Sequence, residues 1–338
     1  MKRSASILLK ESAQLVAQSI VNGLLATSRP EDGNNVGYNL LTRARAALLK
    51  FSDPLIAYPV GGAAVKLPFS HDLPVILARY PQYGQNLGHV ASHVAHKYPD
   101  GSVIDIGANV GDTAALIRQF VDLPILCIEG DPTFFEILRR NAPKLEDVEL
   151  AQTFLGDRDQ QTNYQPHAVS GTLALSPSEN EGVSTARLTT VLQAHPRFQS
   201  SCRLIKTDTD GFDIPILASA SSYLQSQQPV VFLEFSPFHF VKLGHSAEML
   251  EDVLRRAGYR TLLVWDNRGA FHSRVDVQSP GVLVQLAGLC TRDSTDTYFD
   301  VAAFSQTDED VATATYADEQ SRSAIPRPAA SRAGLRAD

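Results

Sequence analysis

The stretch GSVIDIGANVGDTAALIRQF, Gly101–Phe120, decides the fold. Ser102–Ile106 is a short run rich in apolar and β-branched residues. Gly107, Asn109 and Gly111 follow, and from Asp112 the residues favour a helix. Strand, glycine-bearing turn, helix is the opening unit of a doubly wound α/β sheet, and its turn is where backbone approaches a ligand most closely. Gly107 and Gly111 are therefore expected to keep side chains out of that approach.

The same rhythm continues downstream. PILCIEG reads as a second strand, followed by the helix DPTFFEILRRNA with Asp131 as N-cap and Pro132 in its first turn. VELAQTFLG is a third strand. A polar, irregular insertion over 157–186 and a short helix at 188–194 separate it from CRLIKTDTDG, a fourth strand leading into a helix that runs to about 224. PVVFLEF is a fifth strand. SAEMLEDVLRRAGY is a helix ended by Gly258, and RTLLVWDN and YFDVAAFS complete the strands. Alternation at this spacing predicts a mostly parallel sheet with helices on both faces. No helical pattern separates the last two strands, so the final one is expected to be antiparallel. Upstream, 5–27 and 38–50 carry helical spacing, LIAYPVGGAAVKLPF reads as a hairpin with a helix after it, and another helix covers 84–97. The expected division is an N-terminal helical extension (1–50), a lead-in hairpin and helix (51–98), the α/β domain (99–305) and a disordered tail (306–338), polar and rich in Ala, Ser, Arg and Pro towards its end.

Bulk properties narrow the function classes. The chain has 338 residues, 43% of them hydrophobic, and a net charge of −7. That size and composition fill a sizeable core. The acidic balance argues against nucleic acid as a partner. Cys127, Cys202 and Cys290 are few, odd in number and far apart, which excludes a disulfide framework and fits buried thiols in a reducing cytoplasm. No apolar run reaches the length of a transmembrane helix.

The turn after the first strand reads D-x-G-x-N-x-G, Asp105 to Gly111, rather than the dinucleotide pattern G-x-G-x-x-G, and Asp112 stands where the third glycine would be. Acidic groups there oppose a pyrophosphate and suit a ligand bearing positive charge, which disfavours a nicotinamide cofactor. S-adenosylmethionine carries an ammonium and a sulfonium and no phosphate. Glu129 closes the second strand, where a carboxylate accepts hydrogen bonds from both ribose hydroxyls. Asp105, Gly107, Asn109, Gly111 and Glu129 are thus the candidate cofactor residues. Asp157, after the third strand, is a candidate partner for the adenine amino group and equally fits a plain turn.

LIKTDTDGFDIPIL, Leu204–Leu217, resembles the signature of the FkbM-type S-adenosylmethionine-dependent methyltransferases, I-K-I-D-V-E-G-x-E-x-x-V-L. Asp210 and Asp213 stand where that signature has Glu. PVVFLEF resembles the next strand of that family, with Glu234 at its acidic position. The resemblance spans about 100–240 and extends more loosely into the lead-in. It implies a class I methyltransferase Rossmann-like sheet and methyl transfer to a hydroxyl of a sugar, glycolipid, surface polysaccharide or secondary metabolite. It also implies that the end of the fourth strand lies beside the transferred methyl. Asp208 is then the first candidate for base or acceptor-orienting group, with Asp210, Glu234 and His239 around it. The same cluster fits a helix N-terminus stabilised by carboxylates, and Asp208 with Asp210 is an alternative pair of oxygen ligands for a divalent cation; no dedicated metal site is expected. Where family members carry Leu-Asp before the fourth strand, this chain has Leu188-Thr189. That departure motivates a second reading, a cofactor-binding scaffold in glycan assembly that does not catalyse. The N-terminal helices are candidates for covering the site or for a homodimer contact.

Overall fold

The computed structural model describes residues 2–27, 36–169, 172–177, 182–290 and 297–324. Eight strands form its central sheet: β1 Ser102–Ile106, β2 Ile125–Glu129, β3 Val148–Gln152, β4 Cys202–Thr207, β5 Val230–Phe235, β6 Tyr259–Asp266, β7 Phe271–Asp276 and β8 Phe299–Ser305. Their spatial order is β3-β2-β1-β4-β5-β8-β6-β7. β3 through β5 pair in parallel. β8 runs antiparallel between β5 and β6, and β7 is an antiparallel edge. The doubly wound, mostly parallel sheet with an antiparallel last strand is therefore present. β7 and the short helix Val282–Ala287 fill the stretch between the last two expected strands.

β1 and β2 are buried at every position. Such strands belong in a sheet covered on both faces. Side chains alternate between two apolar clusters: Val103 and Ile125 join one, while Ile104, Ile106, Leu126 and Ile128 join the other. Chain order reverses direction between β1 and β4, and the crevice at that switch is where an α/β sheet binds its ligand.

Two sequence divisions dissolve in the fold. The helix Lys2–Thr27 and the hairpin Leu55–Val60/Ala63–Pro68 do not form separate cores; Ala17, Val21, Leu24, Ile56 and Leu67 join the same cluster as Val103. Gln18 even bonds the hairpin as a strand would, donating to Ala57 O (3.1 Å) and accepting from Ala57 N (3.0 Å). The tail expected to be disordered from 306 is instead a helix over Glu309–Ala324, with Val311, Ala312 and Thr315 buried. A polar contact along it and an ion pair just before it hold it to the helix Gln85–Lys97. Lys97 Nζ lies 3.0 Å from Asp308 Oδ1 and His89 Nδ1 lies 2.9 Å from Glu319 Oε1. Residues 325–338 lie outside the described part. The insertion expected to be irregular contains a hairpin, Tyr164–Val169 with Thr172–Pro177. No described helix is long and apolar enough to cross a membrane.

One buried ion pair ties β1 to β4. Lys206 Nζ, on β4, lies 3.1 Å from Asp105 Oδ1 on β1 and donates to Gly107 O at 3.0 Å. Both side chains are almost fully buried. Burial raises the Asp105 pKa, and the Lys206 ammonium opposes it. Burial alone would lower the Lys206 pKa; Asp105 and Asp208 together hold it above the ordinary value. Removing one partner of such a pair strands the other charge.

Two expectations follow for stability. Lys206→Met should cost roughly 3–5 kcal/mol in urea unfolding, and adding Asp105→Asn should recover part of it; equal single and double costs would contradict the pairing. Gly61 and Gly62 form the hairpin turn at φ +55° and +83°; a Cβ on Gly61 would fall 1.9 Å from Ala115 O, whereas one on Gly62 meets nothing within 4 Å. Gly62→Ala should then cost about 1–2 kcal/mol for the left-handed backbone alone, and Gly61→Ala distinctly more by the same unfolding assay.

Candidate active site

A cavity of about 320 Å³ opens at the carboxyl ends of β1, β2 and β4. Ile106, Ile128, Leu155 and Phe212 give it apolar walls, while Asn109, Asp112, Glu129, Asp208 and Asp210 give it polar ones. His71, Leu73, Ile76 and Tyr83 of the lead-in segment line it as well. Those four escaped the sequence reading. Their signal was the Pro- and Gly-broken segment placed immediately before the first strand, a position from which chain can fold over the crevice.

Two backbone donors fix Glu129. Its Oε2 accepts from Asn109 N at 2.8 Å and its Oε1 from Asp131 N at 2.7 Å. Asn109 holds the turn at φ +48°, a conformation that Asn tolerates better than most residues. Asp131 in turn caps the following helix, accepting from Thr133 N and Phe134 N. Burial raises the Glu129 pKa, and the two backbone donors oppose the rise. Each carboxylate oxygen has a second lone pair free for a further donor. Glu129, Asn109 and Gly107 thus come together on one wall as expected.

The other cofactor candidates do not. Asp105 is fully buried beneath the wall, spent on Lys206. Asp157 is not part of the cavity; its side chain is 46% exposed and paired with Arg158 at 2.9 Å. The glycines also serve a different neighbour from the one expected. A Cβ on Gly107 (φ +73°) would fall 2.0 Å from Asp208 O, and one on Gly111 (φ +87°) 2.8 Å from Leu138 Cδ1. What they make room for is the chain itself: the loop after β4 and the helix Pro132–Asn141.

The β4 loop carries the second polar wall. Asp213 ties it down, accepting from Thr207 Oγ1 at 2.6 Å and from Gly211 N at 3.3 Å. That buried carboxylate is an internal staple. Asp208 stands free of it, 4.0 Å from Lys206 Nζ, with its exposed face on the cavity. Loss of water raises its pKa to about 6; Lys206 opposes the rise and the Asp210 and Asp213 carboxylates add to it. Asp210 sits at φ +50°, and its Oδ1 lies 3.0 Å from His239 Nδ1. Glu234, at the end of β5, approaches the same nitrogen at 3.9 Å. Asp208, Asp210, Glu234 and His239 therefore do form one rim. Asp300 of β8 was missed; it lies opposite Glu234 in the strand register and accepts from Asn86 Nδ2 at 2.7 Å. Burial raises its pKa to about 7. Its signal was a lone acid in the otherwise apolar strand YFDVAAFS.

Electrostatically, this is a carboxylate-rich cavity. Among the described residues lining it, Lys206 is the one permanent cation, and it is 5% exposed and engaged by Asp105. Its carboxylates, Asp112, Glu129, Asp208 and Asp210, disfavour an anionic ligand. A nucleoside with a positively charged substituent fits the donor set: apolar walls for a base, and Glu129 for a diol.

Residues 105–261 match the family model of the methyltransferase FkbM domain. No curated protein matches the chain significantly. Among solved structures, the chain is similar to methyltransferase FkbM from Methylobacillus flagellatus, at 15% identity and a TM-score of 0.35, covering 60% of this chain and 44% of that one. It is similar also to precorrin-6y C5,15-methyltransferase from Geobacter metallireducens, at 13% identity and a TM-score of 0.37, covering 66% and 89% of the two chains. A third is TYW2 of M. jannaschii in complex with AdoMet, at 11% identity and a TM-score of 0.37, covering 75% and 88%. The chain thus spans less than half the length of the first of these, and all three likenesses are too loose to carry a function. The family match covers the crevice, Glu129 and the Asp208–Glu234 rim, so that residues 105–261 are similar to a methyltransferase FkbM domain.

Proposed function

We propose that the domain methylates a hydroxyl of an uncharged, sugar-like acceptor. One observation carries this reading: the cavity joins a pre-bonded carboxylate, Glu129, to a second carboxylate wall, with its permanent cation already spent. S-adenosylmethionine, when bound, supplies an electrophilic methyl group on its sulfonium. The chain's own part is then positioning and proton transfer. Glu129 would hold the ribose hydroxyls, its oxygens kept in place by Asn109 N and Asp131 N. Ile106, Ile128 and Leu155 would exclude water from the base. Asp112 would favour positive charge at its end of the cavity.

Asp208 is the group that takes the acceptor's proton. Partial loss of water holds it above the ordinary carboxylate range, with Lys206 opposing the rise, and a more basic carboxylate suits a general base. The roof from the lead-in segment would confine the acceptor, and alignment of reacting atoms is worth about 7–11 kcal/mol where it is complete. A wall of carboxylates accepts hydrogen bonds from a polyol and repels an anion, so a neutral sugar hydroxyl suits this site better than a phosphorylated one.

Calorimetry and turnover together test this. Glu129→Ala should weaken S-adenosylmethionine binding by about tenfold or more, the worth of a charged hydrogen bond. Asp208→Asn should leave that affinity near wild type and slow S-adenosylhomocysteine formation by about 10²–10⁴-fold. Wild-type affinity in the first variant would remove Glu129 from the cofactor site. Wild-type turnover in the second would remove Asp208 as base. If the wild-type chain produced no S-adenosylhomocysteine with any of a panel of neutral glycosides and oligosaccharides, the acceptor assignment would be wrong.

A further inference from the structure

We propose that Asp210, Glu234 and His239 form a binding site for one divalent transition-metal ion at the edge of the cavity. The three side chains come from the β4 loop, the end of β5 and the helix Pro237–Lys242. One ligand atom from each lies within 4.8 Å of the others. Among the described residues no other trio of His, Cys, Asp or Glu comes as close.

Donor spacing is the first support. His239 Nδ1 is 3.0 Å from Asp210 Oδ1 and 3.9 Å from Glu234 Oε1. Ligands at about 2.0–2.2 Å from a metal stand about 3–4 Å from one another, so these separations already suit a shared ion. The second support is an unexplained atom. His239 Nδ1 is buried and makes no hydrogen bond of acceptable geometry, despite the carboxylate beside it. A ring nitrogen aimed between two carboxylates without a hydrogen bond is short of a partner that a cation would supply.

The loop is also built to present Asp210. Gly211 follows it at φ +102°, and a Cβ there would fall 2.8 Å from His239 O. Only glycine lets the loop lie this close to the helix that carries His239. His245 Nδ1 lies 3.3 Å from Gly211 O and closes the same contact from the other side. The set is mixed: two carboxylates and one imidazole. Mg²⁺ and Ca²⁺ prefer oxygen throughout, whereas an imidazole ligand points to Mn²⁺ or Zn²⁺. The sequence alternative, a cation held by Asp208 and Asp210, is replaced: Asp210 is shared, but Glu234 and His239 take the other positions, which leaves Asp208 free as base.

The ion's role rests on the methyl-transfer reading: beside Asp208 it would orient the acceptor hydroxyl and make its proton easier to remove. Ion binding itself does not rest on that reading. The test uses the full chain after chelator treatment, titrated with Mn²⁺ and followed by the electron paramagnetic resonance of the free ion. One Mn²⁺ per chain is expected, with affinity reduced at least about tenfold in His239→Ala and in Glu234→Gln. On the unsubstituted chain, Zn²⁺ should shift the ¹⁵N resonances of the His239 imidazole, a readout that needs no variant. No stoichiometric binding of either ion, or unshifted His239 nitrogens under saturating Zn²⁺, would overturn the site. S-adenosylmethionine affinity measured on the same samples separates the two claims. If the ion fails to bind while the cofactor binds, the metal site alone is lost; if the ion binds while the cofactor does not, the methyl-transfer reading alone is lost.

Discussion

The crevice depends on a charge that cannot be seen from it. Lys206 lies almost wholly inside the sheet, where an unpaired ammonium would be untenable. The Asp105 carboxylate on the neighbouring strand lies 3.1 Å away as its counter-charge, and the carbonyl of Gly107 accepts one of its protons. This arrangement pins the last residues of β1 against those of β4 at the point where the sheet changes direction. It also consumes the permanent cation among the described cavity residues. The result is a floor of fixed geometry and a wall that is negative. The same interaction that aligns the two strands leaves that cation engaged rather than facing a ligand.

On that floor, backbone and carboxylates lock each other. Glu129 holds the β1 turn through Asn109 N and the β2 turn through Asp131 N, so one side chain joins the first two strand tips. Asp213 does the equivalent for β4 through Thr207 and Gly211. Functional carboxylates set among structural ones are pre-organised at little entropic cost on binding. This also explains why acids are so dense here. Some, such as Asp105 and Asp213, serve the fold, while Asp208 and the Asp210–Glu234–His239 group are the ones proposed for chemistry.

Much of this was legible in the sequence, because strand and helix periods are local properties and the chain obeys them from Val103 to Tyr259. Of the turn Asp105–Gly111, Gly107 and Asn109 line the cavity, as does Glu129. Their individual roles were not legible. Gly107 and Gly111 looked like clearance for a ligand, yet each makes room for another part of the chain, a fact that depends on where the β4 loop and Leu138 arrive. Asp105 looked exposed to the ligand because a motif position carries no information about burial. Asp157 follows a strand end as Glu129 does, but the β3 edge carries it away from the cavity. The acidic, alanine-rich segment after Ser305 looked unable to fold alone. It folds against His89 and Lys97 of a helix far earlier in the chain and against Tyr98 just after that helix, with Tyr98 donating to Asp308 at 2.7 Å. Long-range charge pairing of that kind leaves no trace in local periodicity.

The central claim is that this crevice selects a phosphate-free, positively charged adenosyl ligand. Equilibrium titration of the unmodified chain with S-adenosylmethionine and with NAD, at one ionic strength, tests it most directly. The account predicts saturable binding of one S-adenosylmethionine per chain and no saturation by NAD over the same range. Saturation by NAD with none by S-adenosylmethionine would contradict it.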